Sequence, residues 1–208
     1  MSKYVIFNNA KINKTLIYYP CPKNANTSAK MFFARHGNVA DQYLFVGDNV
    51  PQKHEKNEHY KGKKSIISFL PSKQPFEKRD VDLKCCILRD PVKRFISAYK
   101  NRILYHGDSE FNNHTVDMII EKLENNNFEN KHFLPQTFFL GPDINYYSFW
   151  ATTDNIHIFV DRINDFFGRK IEFPKIQTGG NEAKINLSNS QIERIEKIYF
   201  NDYKLIKT

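Results

Sequence analysis

The hydrophobic positions of this chain fall into two kinds of run. Short, nearly unbroken apolar stretches rich in Ile, Val and aromatic residues occur at TLIYYP (15–20), SIISFL (65–70), DLKCCILRD (82–90) and IHIFVD (156–161). Runs of that length without polar alternation predict strands buried on both faces. Between them the apolar spacing lengthens to three and four. Residues 27–35 predict a helix with Thr27 or Ser28 near its N-cap. Residues 91–104 predict another, with Asp90 as cap and Pro91 at the first helical position. Further helices are expected over 115–124 and over 188–203, the last capped by Ser188 with Ile192, Ile195, Ile198 and Tyr199 on one face. Two polar stretches, PQKHEKNEHYKGKK (51–64) and ENNNFEN (124–130), carry no apolar period and read as loops. Strands alternating with helices predict an α/β fold around a central, mostly parallel sheet. No internal repeat or linker divides the chain, so 1–208 is expected to be a single domain.

Composition narrows the chemistry. Forty per cent hydrophobic and 14 % aromatic content in 208 residues can fill one sizeable core. The balance of 31 Lys and Arg against 23 Asp and Glu leaves +8, which points to an acidic partner: nucleic acid, an anionic small molecule, an acidic glycan or a membrane surface. A nucleic-acid-binding module would need basic and aromatic residues on one surface, whereas the aromatics here lie in apolar runs such as TFFL, NYYSFW and DFF. Three cysteines, two of them the neighbours Cys85 and Cys86, fit a reducing compartment better than a disulfide framework, and no zinc spacing is present. MSKYVIFNNAKINK lacks the apolar centre of a signal peptide and no window is long enough to span a bilayer. A cytoplasmic protein without a metal is the expectation.

The first chemical signal follows the first predicted strand. PCPKNANTS (20–28) sets Lys23, Asn24, Ala25, Asn26, Thr27 and Ser28 in a turn at the carboxyl end of a strand and the start of a helix, where unpaired backbone N–H groups gather. Lys23 comes early, with Thr27 and Ser28 four and five residues later and no glycine present, whereas in a Walker A loop glycines open the turn and the lysine comes late, so a nucleotide triphosphatase or P-loop kinase is disfavoured. Asn24 and Asn26 can take left-handed conformations at low cost and curl the amides around an anion. A solvated lysine beside a capped helix is the plain alternative.

The second signal is CCILRDPVKRFISAYKNRI (85–103). Arg89 ends a strand, Asp90-Pro91 turns the chain, and Arg94, Ser97 and Asn101 share one helix face. Phe95, Ile96, Tyr99 and Ile103 form an apolar stripe able to pack on the sheet. Arg89 offers a planar fork and Ser97 a hydroxyl to a second anion. For Arg94 a carboxylate partner, Asp90 for instance, is the simpler expectation.

PKNANTS followed by RDPVKRFISAY resembles the paired phosphate-binding motifs of sulfotransferases that use 3'-phosphoadenosine 5'-phosphosulfate. NKHFLPQTFFL (130–140) and GGNEAKINLSNSQIERIEKIYFNDYKLI (179–206) are similar to segments of the carbohydrate, Golgi-type (family 2) branch, in the same order. The resemblance implies a P-loop-like three-layer fold and transfer of a sulfuryl group to a hydroxyl or amine, releasing 3'-phosphoadenosine 5'-phosphate, without a metal. It assigns Lys23 to the leaving oxygen, residues 24–28 to the 5'-phosphosulfate, and Arg89 and Ser97 to the 3'-phosphate. Asn181 and Lys184 fall in the loop that closes on the cofactor.

The general base is left among three histidines: His132 in NKHFLPQ, and His54 or His59 in the basic loop. Uronyl 2-O-sulfotransferases carry His-Gly-His where this chain has Lys61 and Lys63 around a glycine, which argues against transplanting their base or their substrate. His54, His59, Lys61 and Lys63 are candidates for contacts with an acceptor, expected to be a glycan or another hydroxyl compound, although such charge runs are commonly solvated surface.

Overall fold

A computed structural model describes residues 3–9, 12–37, 44–46, 50–52, 67–71, 76, 78–111, 113–175 and 183–206. Strands β1 (Lys3–Asn9), β2 (Lys14–Tyr19), β5 (Ile67–Pro71), β6 (Leu83–Leu88) and β7 (Phe149–Thr152) form one sheet in the order β5-β1-β2-β6-β7. β2, β6 and β7 pair in parallel, and β1 runs against both β2 and β5, so four of the five strands point one way. The α/β class and mostly parallel sheet match the sequence expectation. A separate hairpin joins β3 (Leu44–Val46) to β4 (Val50–Gln52), so the polar stretch 51–64 begins inside a strand.

Alternation along the strands builds the three layers. Leu16 and Tyr18 of β2, with Cys85 and Ile87 of β6, face helices α1 (Asn26–His36) and α5 (Ile156–Phe167), where Phe32, Phe33, Phe159 and Ile163 complete a dry cluster. Ile17, Tyr19, Cys86 and Leu88 point the other way, onto α4 (Gln136–Leu140) and α7 (Phe200–Ile206). Each such aromatic or aliphatic side chain contributes roughly 1.5–3 kcal/mol by leaving water. All three cysteines are free and buried in these layers.

Four expectations change. IHIFVD is the first half of α5 and not a strand: Phe159, Ile163 and Phe166 recur at helical spacing and are buried, while His157 and Ile158 are exposed. The β-branched run imitates a strand only when cut off at residue 161. The parallel edge strand is instead β7, drawn from NYYSFWATT. The helix after Arg89 is α-helical as α2 (Pro91–Tyr99), then continues as a π-helix over Lys100–Tyr105. Its stripe of Phe95, Ala98 and Tyr99 packs on α3 (Val116–Glu124) and α6 (Asn189–Ile198) rather than on the sheet. The last predicted helix breaks at Tyr199 into α6 and α7, because the Tyr199 hydroxyl donates to Phe133 O at 2.6 Å and Asp202 turns toward α4. Asp90, Thr115 and Ser188 do cap α2, α3 and α6, the last with a full capping box to Gln191.

Candidate active site

The candidate site lies at the carboxyl ends of two adjacent parallel strands. β2 leads into the turn 20–25 and α1; β6 leads into Arg89, Asp90 and α2. Ligands of α/β sheets collect at such strand ends.

The turn is held in a costly shape. Lys23 and Ala25 have φ of 69° and 54°, the left-handed region, while Asn24 between them does not. Alternating hands turn successive N–H groups toward one concave side, an anion nest. Two non-glycine residues in that region cost on the order of 1–3 kcal/mol each, and such strain clusters at functional sites. The sequence expected asparagines to make the curl, but Asn24 is fully buried with another task. Its Nδ2 donates to Ile87 O at 2.7 Å and to Gln136 Oε1 at 2.6 Å, tying the turn to β6 and α4. Neither Thr27 nor Ser28 caps α1: both lie inside the helix, and the N-cap is Ala25, which has no side-chain acceptor. The N-terminus of α1 thus presents N–H donors beside the nest.

Two arginines clamp the turn from the second strand end. Arg89 Nη1 donates to Lys23 O at 2.9 Å, and its buried Nε has no partner among the described residues. Arg94 is 2 % exposed; its Nε donates to Pro22 O at 3.0 Å and its Nη2 has no partner among the described residues. The carboxylate pairing expected for Arg94 is replaced by this backbone contact, since Asp90 is engaged in capping through Lys93 N at 2.8 Å. Burial, reinforced by Arg89, Arg102 and Arg94, pulls the Lys23 ammonium down to about 8. Burial also lowers Arg89, with Arg94 adding to it against Asp154 and Asp90. Cations that depress one another in this way form a site that gains from an anion.

Behind the turn sits a hub that sequence reasoning passed over. Gln136 is fully buried; its Oε1 accepts from Asn24 Nδ2 and Arg89 N, and its Nε2 donates to Arg89 O at 2.8 Å. Buried Asp202 in turn accepts from Gln136 N at 2.7 Å and Thr137 N at 2.9 Å, capping α4 from 65 residues away. Burial raises the Asp202 carboxyl despite these two donors. The only signal was positional: Gln136 ends NKHFLPQ and Asp202 lies in YFNDY.

His132 is half-buried beside a cleft of about 390 Å³ whose walls include Arg102, Asp108, Glu110 and Asn130. Its ring is pushed down to about 3 by burial and then by Arg102, Lys23, Lys131 and Arg94, which places it in the field of the Lys23 turn. Ser97 is half-buried on α2, one turn beyond Arg94. Lys184 is exposed in the segment before α6, and no described interaction joins it to the turn. His54, His59, Lys61, Lys63 and Asn181 lie outside the described residues.

Fold and site together define a class: an α/β protein with a strained, uncapped strand-turn-helix cradle for one anion and a basic strand end beside it. The sulfotransferase family model matches residues 10–207, from β2 through the His132 segment to α7, and the chain belongs to that family. It is therefore an enzyme of sulfuryl transfer. No curated protein and no solved structure matches it.

Proposed function

We propose that the protein transfers a sulfuryl group from 3'-phosphoadenosine 5'-phosphosulfate to a hydroxyl, or an amine, of an acceptor, with a carbohydrate as the preferred acceptor class. The observation that carries this reading is the half-buried Lys23 ammonium. It stands on a strained turn and is drawn down to about 8 by burial and then by Arg89, Arg102 and Arg94. The donor suits such a site because it carries charge at two separated phosphate positions. The amides of residues 24–28 and the α1 N-terminus would take the 5'-phosphosulfate; Arg89, with Ser97, would take the 3'-phosphate.

Lys23 is assigned to the oxygen that bridges phosphate and sulfate. As the bridging S–O bond breaks, negative charge builds on that oxygen. An ammonium already in place stabilises it without reorganisation. The remaining work is alignment of the acceptor oxygen in line with the departing one, and His132 is assigned to accept the acceptor's proton.

The test is a thermal-shift comparison. At one hundred times its dissociation constant, 3'-phosphoadenosine 5'-phosphate should stabilise the fold by about 2.7 kcal/mol, roughly 5–10 °C for a chain of this size. AMP, lacking the 3'-phosphate, should do much less. Equal shifts with both nucleotides, or none, would sink the donor assignment. Lys23→Ala should keep the fold and lose on the order of 10²- to 10³-fold or more in transfer; retained activity would remove Lys23 from the mechanism.

A further inference from the structure

The cleft beside His132 contains a chain of side chains whose hydrogen polarity is fixed by its far end. Asn130 Nδ2 lies 3.1 Å from Asp108 Oδ2 and 2.7 Å from Glu110 Oε1. Carboxylates accept, so the nitrogen end of the amide must face them. The oxygen end then faces His132, where Oδ1 accepts the His132 backbone N–H at 3.0 Å and lies 2.9 Å from the ring Nδ1. Two carboxylate acceptors at one end and the backbone N–H donor of His132 at the other leave a single orientation of the amide. An amide oxygen has no proton to give, so the contact with the ring requires a proton on Nδ1. The second ring nitrogen, Nε2, keeps its lone pair and has no partner among the described residues.

The far end is itself anchored. Arg102 grips Asp108 through Nε, at 2.6 Å, and through Nη2. Arg102 belongs to the π-helical segment Lys100–Tyr105, whose altered register follows α2 directly. The chain Arg102, Asp108, Asn130, His132 therefore starts on the element that follows the Arg89 strand end and finishes on the ring near Lys23.

On the sulfuryl-transfer reading above, we propose that Asn130 is a positioning residue, holding His132 as the Nδ1–H tautomer so that Nε2 is the ring atom that takes the acceptor's proton. In that step the acceptor oxygen forms its bond to sulfur while the bridging S–O bond breaks. The electron pair of the broken bond leaves on the 5'-phosphate oxygen, and the acceptor's O–H proton passes to Nε2. The imidazolium so formed keeps its Nδ1–H on Asn130 Oδ1, and the Asp108 and Glu110 carboxylates polarise that amide in the stabilising sense. Burial first, and then Arg102 and Lys23, oppose protonation of the ring in the free protein. The negative charge of a bound donor offsets the two cations, though not the burial, so the base gains strength once the donor is in place.

The experiment uses the full chain labelled with 15N-histidine and two-bond proton–nitrogen correlation spectra near pH 7, with and without 3'-phosphoadenosine 5'-phosphate. His132→Gln supplies the assignment. In the native protein His132 should show a protonated Nδ1 and an unprotonated Nε2, in both states. Asn130→Ala should move it to a population dominated by Nε2–H, the form free imidazole side chains favour. Asn130→Asp retains an acceptor at this position, so it should keep Nδ1–H and raise the ring's titration midpoint by roughly one unit or more. That conservative variant carries the test if Asn130→Ala does not fold. An Nε2–H tautomer in the bisphosphate-bound native chain, an unchanged tautomer in folded Asn130→Ala, or an unmoved midpoint in Asn130→Asp overturns the inference alone. Failure of the folded native chain to bind the bisphosphate overturns the transfer reading, and this role with it.

Discussion

Gln136→Leu removes the hub behind the cradle while keeping side-chain volume close to native. Three hydrogen bonds go: from Asn24 Nδ2, from Arg89 N, and to Arg89 O. A net loss of about 1 kcal/mol for each gives ~3 kcal/mol, and the stranded Arg89 N–H and C=O can add about 1–3 kcal/mol wherever water does not reach them. Asn24 is partly protected because its Nδ2 keeps Ile87 O. The expected destabilisation is therefore roughly 3–6 kcal/mol, a large share of a usual domain stability of about 5–15 kcal/mol. Trp150, the single tryptophan, sits on β7 beside Cys86 of β6 and reports the transition directly by fluorescence in urea. Because the same amide links the Lys23 turn to the Arg89 strand end, bisphosphate affinity should fall at least about tenfold, the equivalent of 1.4 kcal/mol. A loss of stability below about 1 kcal/mol, with unchanged affinity, would show that the two strand ends are held by something other than Gln136.

Arg89→Lys keeps the charge but loses the fork that reaches Lys23 O while leaving Nε available, so bisphosphate binding should weaken by roughly tenfold or more in calorimetry; native affinity would refute the double role. Burial draws the Lys23 ammonium down to about 8, so bisphosphate affinity should decline as pH rises through about 8, and Lys23→Ala should abolish that decline; a flat native profile from about pH 7 to 9 would contradict it. His36 is buried against Phe32 and Phe167, neither ring nitrogen has a hydrogen-bond partner within 3.5 Å among the described residues, and burial followed by Arg169 pulls it down to about 4 against an opposing pull from Asn164. An imidazole lowered from its ordinary value near 6.5 binds more protons when unfolded, so it favours folding above pH 6.5 and that stability is lost as pH falls toward 4. His36→Phe should flatten this acid limb and leave stability at pH 7 equal or higher; an unchanged pH dependence would remove His36 as its source.

The sequence by itself determined most of the elements around the two central strands and the candidate residues at their ends. Strand runs in β2 and β6 carry their own burial signal, and the caps Asp90, Thr115 and Ser188 are local, satisfied within three residues. The placement of Lys23 and Arg89 was legible for the same reason: each lies in the turn that follows a strand, and parallel strands deliver their carboxyl ends to one edge. Where a local pattern was ambiguous, tertiary structure decided. IHIFVD became helix because its continuation to Phe167 has a sheet face to cover, and the strand beside β6 came from 149–152 instead. Which residues make the cradle rigid also lay beyond local pattern. The bonds from Asn24 to Gln136, Arg89 to Lys23 and Asp202 to α4 span 112, 66 and 66 residues. A buried amide and a buried carboxylate are recognisable as struts only once packing has removed the water that would otherwise satisfy them. The left-handed turn at Lys23 and Ala25 has the same origin, since no preference of lysine or alanine selects it and clamps from Arg89, Arg94 and Asn24 help hold it against its strain.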